Sequence, residues 1–500
     1  MNAISKFLKS SAEPETADGT ARVKERILYV TSEIADYIKT GGLGEVSAAL
    51  PRILQQHYDI RLLIPGYRPV LEAHPDMPIV GHLAKARDIP RCDIGKAVTA
   101  DGLVIYVLIC PELFDRPGTP YGDSAGTDWH DNDVRFARLG LAAADIASGR
   151  AGLDWRPQLL HVHDWQAAMA PAYLAWRGSA VPTVLTIHNL AYQGVFGRDR
   201  LSRLAIPDSA YRPDGVEFYG RLSFLKAGLY YADHLTTVST TYAREITTPE
   251  FGCGMDGLLR MRAAQGRLNG ILNGIDASWN PRNDPHLVDH FEADSWQGKI
   301  ANAAEVRRRF GLSVTRGPLF AIVSRLVHQK GLDVAMAAAE AILQQGGQIV
   351  VTGQGERPVE DGWRRLARRY PDKIGVRIGF EETEARRMFA GSDFLLMPSR
   401  FEPCGLSQMY AQRFGSLPIA HKTGGLADTI EDGETGFLFK DVSVPSLLSA
   451  TQRAMQTFGS SQKINAMRRA AMARKSGWKH SARTYRMIFN KVMSSYPAAL

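Results

Sequence analysis

From Arg26 onward the chain alternates short apolar runs with amphipathic stretches, and that rhythm limits the fold more than any single motif does. Runs at 27–30, 61–64, 104–110, 159–162, 183–187, 235–238 and 270–272 are strand candidates, and 134–146, 167–176 and 224–231 carry helical spacing between them. A helix after each strand returns the chain to the same edge, which makes the sheet parallel. A polar stretch with Pro and Asp from 276 to about 297 interrupts the rhythm. It restarts at 319–323 and continues through 348–352, 375–378, 394–397, 417–420 and 435–438. Five hundred residues at 45% hydrophobic exceed one core, since single cores stop growing near about 250–300 residues. The reading is therefore α/β, with two large domains.

The net charge of +8 suits an anionic ligand. However, Arg307-Arg308-Arg309, Arg364-Arg365, Arg368-Arg369 and Arg386-Arg387 lie in helical stretches, where solvated faces account for them better than a nucleic-acid patch. The four cysteines, Cys92, Cys110, Cys253 and Cys404, have no C-x-x-C spacing and argue for a reducing compartment. The first 25 residues hold no apolar run long enough for a signal-peptide core, and no later run approaches a membrane span. The expectation is a cytoplasmic chain with a disordered tail over 1–25.

In open α/β sheets ligands bind beyond the carboxyl ends of strands, so polar residues there carry the functional reading. Lys-Thr-Gly-Gly-Leu occurs at 39–43, after the first strand, and again at 422–426, after a late one. Without Cβ atoms, Gly41-Gly42 and Gly424-Gly425 let the backbone approach an anion and aim N–H groups at it, while a lysine supplies charge. Two such loops suggest one charged ligand held between two lobes. Arg325 follows another strand, with Lys330 five positions on; a donor fork and a point charge together suit a departing diphosphate. Glu402 stands between Phe401 and Pro403, followed by Cys404 and Gly405. A carboxylate there accepts sugar hydroxyls or stabilises positive charge at an anomeric carbon; the plainer alternative is a cap on the next helix.

His161-Val162-His163-Asp164-Trp165 with His188 admits two readings. One is a metal site by ligand counting; the other, which fits better, is a sugar-binding Asp beside a stacking Trp, with the histidines sharing one strand face against a helix. Gly353-Gln354-Gly355 lacks the third glycine of a dinucleotide fingerprint and reads as a strand-to-helix turn. Tyr121 and Trp129 lie in a polar loop before a helix, where sugar contact and simple cover are both open.

Together these motifs resemble bacterial glycogen synthases and plant starch synthases, retaining glycosyltransferases with two Rossmann-like domains, the GT-B architecture. The resemblance runs from about Ile27 to Tyr485 and covers 39–46, 161–165, 186–194, 224–233, 272–276, the Arg325 and Glu402 segments, and 423–429. It implies parallel sheets facing an interdomain cleft. It also implies transfer of glucose from ADP-glucose, or alternatively UDP-glucose, to the non-reducing end of an α-1,4-glucan with the anomeric configuration kept. His188, Glu402 and Asp164 are the implied catalytic residues. Lys39, Gly41, Gly42, Arg325, Lys330, Thr423, Gly424, Gly425 and Leu426 are the implied donor contacts, and Tyr121, Trp165, Asn189, Cys404 and Gly405 are candidate sugar or acceptor contacts. No metal, cofactor, nucleic acid or membrane is implied. The expected division is an N-terminal domain over 26–280 on the acceptor side, a linker over 281–300, a C-terminal domain over 301–480 on the donor side, and a helix in 481–500 crossing back.

Departures from the family pattern are mild: Glu45 for a usual Asp, Ser407 for a usual Thr, no proline after Ser239, and a short 429–437 segment. A glycoside hydrolase pairing Asp164 with Glu402 would leave Arg325 and Lys330 unexplained. A non-catalytic glucan-binding protein would lack a catalytic residue, and none is missing. A phosphorylase would need a Schiff-base lysine motif, and none is present.

Overall fold

The computed structural model describes residues 24–124 and 126–496. All but the last two residues of the expected tail, and the last four of the expected C-terminal segment, lie outside the described residues. The N-terminal half contains β1 (Arg26–Val30), β2 (Asp59–Pro65), β3 (Ile79–Leu83), β4 (Cys92–Val98), β5 (Val104–Ile109), β6 (Leu159–His163), β7 (Thr183–Ile187), β8 (Val195–Phe196), β9 (Glu217–Phe218), β10 (Arg221–Ser223), β11 (His234–Thr237) and β12 (Leu268–Gly270). Nine of them form one sheet in the order β12-β11-β7-β6-β1-β2-β5-β4-β3, parallel except for β4. A small antiparallel sheet is formed by β8, β10 and β9.

The C-terminal half contains β13 (Leu319–Val323), β14 (Gln348–Gly353), β15 (Ile374–Ile378), β16 (Phe394–Met397), β17 (Leu417–His421) and β18 (Phe437–Phe439). They form a parallel sheet in the order β15-β14-β13-β16-β17-β18. Counted within the domain this is the order 3-2-1-4-5-6 of dinucleotide-binding sheets. β6, β7, β11, β13 and β14 are buried along their whole length, as strands covered by helices on both faces must be. Polar groups on three of them satisfy one another: His161 Nε2 lies 2.7 Å from Thr186 Oγ1, which lies 2.7 Å from Thr236 Oγ1.

Strand order reverses between β1 and β6 in the first sheet and between β13 and β16 in the second. A crevice opens at each such point, beyond the carboxyl ends of the strands. The antiparallel edge β3–β4 has no counterpart in the alternation at the sequence level, because Gly81, His82, Asp93, Gly95 and Lys96 break its apolar pattern. The strand expected at 270–272 falls at Leu268–Gly270.

Residues 281–300, expected to be a linker, are packed on the C-terminal domain. Trp279 stacks on Tyr410 at 3.6 Å, Arg386 lies 3.8 Å over Trp279, and the buried Asp284 pairs with Arg386 at 2.7 Å. Lys299 Nζ donates to the carbonyls of Ala390, Ser392 and Phe414 at 2.9, 2.8 and 3.0 Å. The last helix, Lys479–Ser494, lies on the N-terminal domain: Tyr58 donates to Asn490 at 3.2 Å, and the rings of Tyr485 and Phe489 meet His161 at 5.5 and 5.3 Å.

Candidate active site

Each crevice is lined by the loops that leave its central strands. The loop after β1 carries Glu33 and Lys39 to Gly42, the turns after β6 and β7 carry Asp164 and His188, those after β13 and β16 carry Arg325 and Glu402, and the turn after β17 carries Thr423 to Gly425.

Asp164 sits in the left-handed region at φ 52°, which turns its buried carboxyl toward β7. Its Oδ1 accepts from the amides of His188 at 2.6 Å and Asn189 at 3.3 Å. Burial pushes the Asp164 carboxyl up to about 7 despite those donors. His188 Nε2 lies 2.9 Å from His163 Nδ1, and burial lowers both imidazoles, His188 to about 3. His161 and His163 point into the core against Tyr29, with ring centroids at 5.2 and 4.1 Å. Among the described residues no three His, Cys, Asp or Glu side chains gather as a metal would need.

Trp165 meets Phe136 at 4.8 Å, and Gly194 lies against its ring so closely that a Cβ would fall 2.3 Å from it. Tyr121 joins Glu33, donating to its carboxylate, and lies 3.0 Å from Ser32 Oγ. Asn189 uses its side-chain oxygen on the amide of Ala191 at 3.1 Å.

Glu33, which no motif flagged, organises the first glycine loop. It accepts from the amide and hydroxyl of Thr40 at 2.6 and 2.7 Å and from the amide of Gly41 at 3.3 Å. Lys39 Nζ reaches Glu45 at 2.6 Å and, across the cleft, Glu382 at 3.2 Å. Gly41 has no atom within 4 Å of a built Cβ, and Gly42 has only Leu406 Cδ1 of the other domain, at 3.8 Å.

On the facing wall Glu402 is 5% exposed, and its Oε2 receives Lys330 Nζ at 2.6 Å and Ser399 Oγ at 3.0 Å. Two motifs 72 positions apart thus form one ion pair. Gly331 makes the approach feasible: it is left-handed at φ 64°, and a Cβ would fall 1.9 Å from Pro398 O. Arg325 is exposed and donates to Tyr192 OH of the opposite domain at 3.0 Å and to Gln329 at 3.3 Å.

The second glycine loop lies against the segment that carries Glu402. A Cβ at Gly424 would lie 1.9 Å from Glu402 O and one at Gly425 2.0 Å from Cys404 O, so these glycines seat the Glu402 segment. The Gly425 amide donates to Glu402 O at 3.0 Å, and the Gly424 amide and Thr423 hydroxyl donate to Glu245 of the N-terminal domain at 2.9 and 3.0 Å. Leu426, expected as a donor contact, has its side chain fully buried in the core. Cys404 is buried, which pushes its thiol up to about 12, and Gly405 is left-handed at φ 69°. Ser239 Oγ donates to Pro403 O at 2.5 Å, so both domains grip the strip from Pro403 to Leu406.

Residues 26–261 match the family described as starch synthase catalytic domain, and 305–470 match glycosyl transferases group 1. The chain is 59% identical to the glycogen synthase of Pseudomonas putida over 94% of its own length and 91% of that protein's. The chain belongs to the starch and glycogen synthase family. Another relative, glycogen synthase 1 of Bradyrhizobium diazoefficiens, is 58% identical over 91% of this chain and 99% of its own. The catalytic domain of starch synthase IV from Arabidopsis thaliana, solved with ADP and acarbose, superposes with a TM-score of 0.82 at 29% identity, covering 94% of this chain and all of that one. Members of this family are glycosyltransferases with the two-domain GT-B fold, and so is this chain. Among its described residues no helix is long and apolar enough to cross a membrane.

Proposed function

We propose that the chain transfers glucose from ADP-glucose to the non-reducing end of an α-1,4-glucan with retention, in the cleft between the two sheets. The observation that carries the assignment of roles is the Lys330–Glu402 pair at 2.6 Å, set at the switch point of the C-terminal sheet. Lys330 and Arg325 meet the diphosphate, where their charge offsets what builds up as the C1–O bond breaks. Glu402 accepts hydroxyls of the transferred glucose, with Cys404 and Gly405 beside it. Asp164, held by two amides, and His188 form the opposite wall around the anomeric carbon, with Asn189, Tyr121 and Trp165 on the acceptor side. Lys39, Gly41 and Gly42 close on the phosphates from the N-terminal domain, a role supported by the open space around both glycines. Thr423, Gly424 and Gly425 act one step back, by seating Glu402.

The ADP bound to the Arabidopsis relative supports adenine as the donor base. A cytoplasmic location goes with this reading and is supported by four free thiols. Lys330→Ala tests the roles: kcat/KM should fall at least about a hundredfold, and full activity would overturn the clamp.

A further inference from the structure

The wall formed by Asp164 and His188 contains one buried contact that the reaction does not use. His163 Nδ1 lies 2.9 Å from His188 Nε2, so one of these nitrogens donates to the other. His163 is fully buried on β6, its ring 4.1 Å from that of Tyr29 and 4.2 Å from that of His161, and its Nε2 meets no hydrogen-bond partner. Burial keeps both rings neutral, so two protons are shared among four nitrogens. If His188 donated, the proton of His163 would sit on that sealed Nε2, a buried N–H with no acceptor. If His163 donates, only a lone pair is left without a partner. Orphaned buried donors are the rarer and costlier case.

We propose that His163 is a positioning residue that donates its Nδ1–H to His188 Nε2 and thereby fixes His188 as the Nδ1–H tautomer. The inference rests on the reading of His188 as part of the reaction centre. Asp164 ties down the His188 backbone at 2.6 Å, and His163 ties down its ring. The one ring nitrogen left for a ligand then carries a proton. His188 can donate to a sugar hydroxyl or a phosphate oxygen, and it cannot serve as a base.

The test is the nitrogen spectrum of the full chain labelled with 15N-histidine, His188 being assigned by the signals lost in His188→Ala. A pyrrole-type Nδ1 and a pyridine-type Nε2 are expected for His188, the reverse of free imidazole. His163→Asn, which keeps a donor near the Nδ1 position, should retain that pattern and most of kcat. His163→Leu should return His188 to the Nε2–H form and lower kcat at least about tenfold with KM little changed. A protonated Nε2 on His188 in the unmodified protein, or unchanged His188 signals in His163→Leu, would overturn the proposal. Should the variants not fold, the unmodified protein's spectrum decides by itself. Full activity of His188→Ala would remove the reaction-centre reading and leave the tautomer assignment standing.

Discussion

Glu245 Oε1 of the N-terminal domain lies 2.9 Å from the amide nitrogen of Gly424 in the C-terminal domain. The relationship is reciprocal, since Asp428 accepts from the amide and hydroxyl of Thr241 at 3.0 and 2.6 Å. The short helices Thr240–Glu245 and Gly424–Thr429 therefore each have their first turn capped by a carboxylate from the other domain. Because Gly424 lies against Glu402 O, this mutual cap ties closure of the cleft to the position of Glu402.

Removing the cap should loosen closure without touching the ligand. Glu245→Ala removes two interdomain hydrogen bonds to one carboxylate oxygen and is expected to lower kcat/KM for the donor at least about tenfold. Steady-state kinetics with glycogen as acceptor measures this, and unchanged constants would show that the cap plays no part in closure.

The Lys330–Glu402 pair is nearly enclosed, with side chains 15% and 7% exposed. Taking away one partner strands the other, which costs about 3–5 kcal/mol, whereas removing both charges costs less. Lys330→Met should therefore lower the Tm more than Lys330→Met combined with Glu402→Gln. Calorimetry of the two variants decides, and additive losses would argue against a coupled pair.

The two glycine pairs should separate by what they protect. Gly425→Ala drives a Cβ to 2.0 Å from a carbonyl and should cost about 1–3 kcal/mol of stability. Gly42→Ala meets only Leu406 Cδ1 at 3.8 Å and should leave the Tm unchanged while raising KM for the donor. A Tm loss at Gly42 equal to that at Gly425 would contradict the assignment of the first pair to ligand.

Asp164 gives a pH dependence with a definite sign. Its folded value of about 7 stands above the ordinary 3.8, so the folded protein holds this proton more tightly than the unfolded chain does. The stability it contributes is complete below about 4 and is lost as pH rises to about 7. Activity runs the other way if the ionised carboxylate is what accepts hydroxyls: kcat/KM should climb through about 7, and Asp164→Asn should flatten that limb. A profile of the same shape in the variant would point to another group.

The parallel strands were legible because burial on both faces makes them continuous apolar runs; Leu319–Val323 and Phe394–Met397 fall where the pattern puts them. Asp164, His188, Arg325 and Glu402 were legible as polar residues just past such runs. Glu33, Glu245 and Glu382 were not, since an isolated acid carries no signal when its partner is distant; Glu245 and Gly424 are 179 positions apart. The identical pentapeptides meet the same limit: the string says that glycine is needed, and only the structure shows that a neighbouring carbonyl requires it at Gly424 and Gly425.

The most direct test is donor-dependent glucan elongation. The protein is incubated with glycogen and either ADP-glucose or UDP-glucose, and released nucleotide and incorporated glucose are measured together. ADP is expected to be released in step with glucose added through α-1,4 linkages, with UDP-glucose a much poorer donor. Free sugar released from glycogen without nucleotide, or equal rates with UDP-glucose, would contradict it.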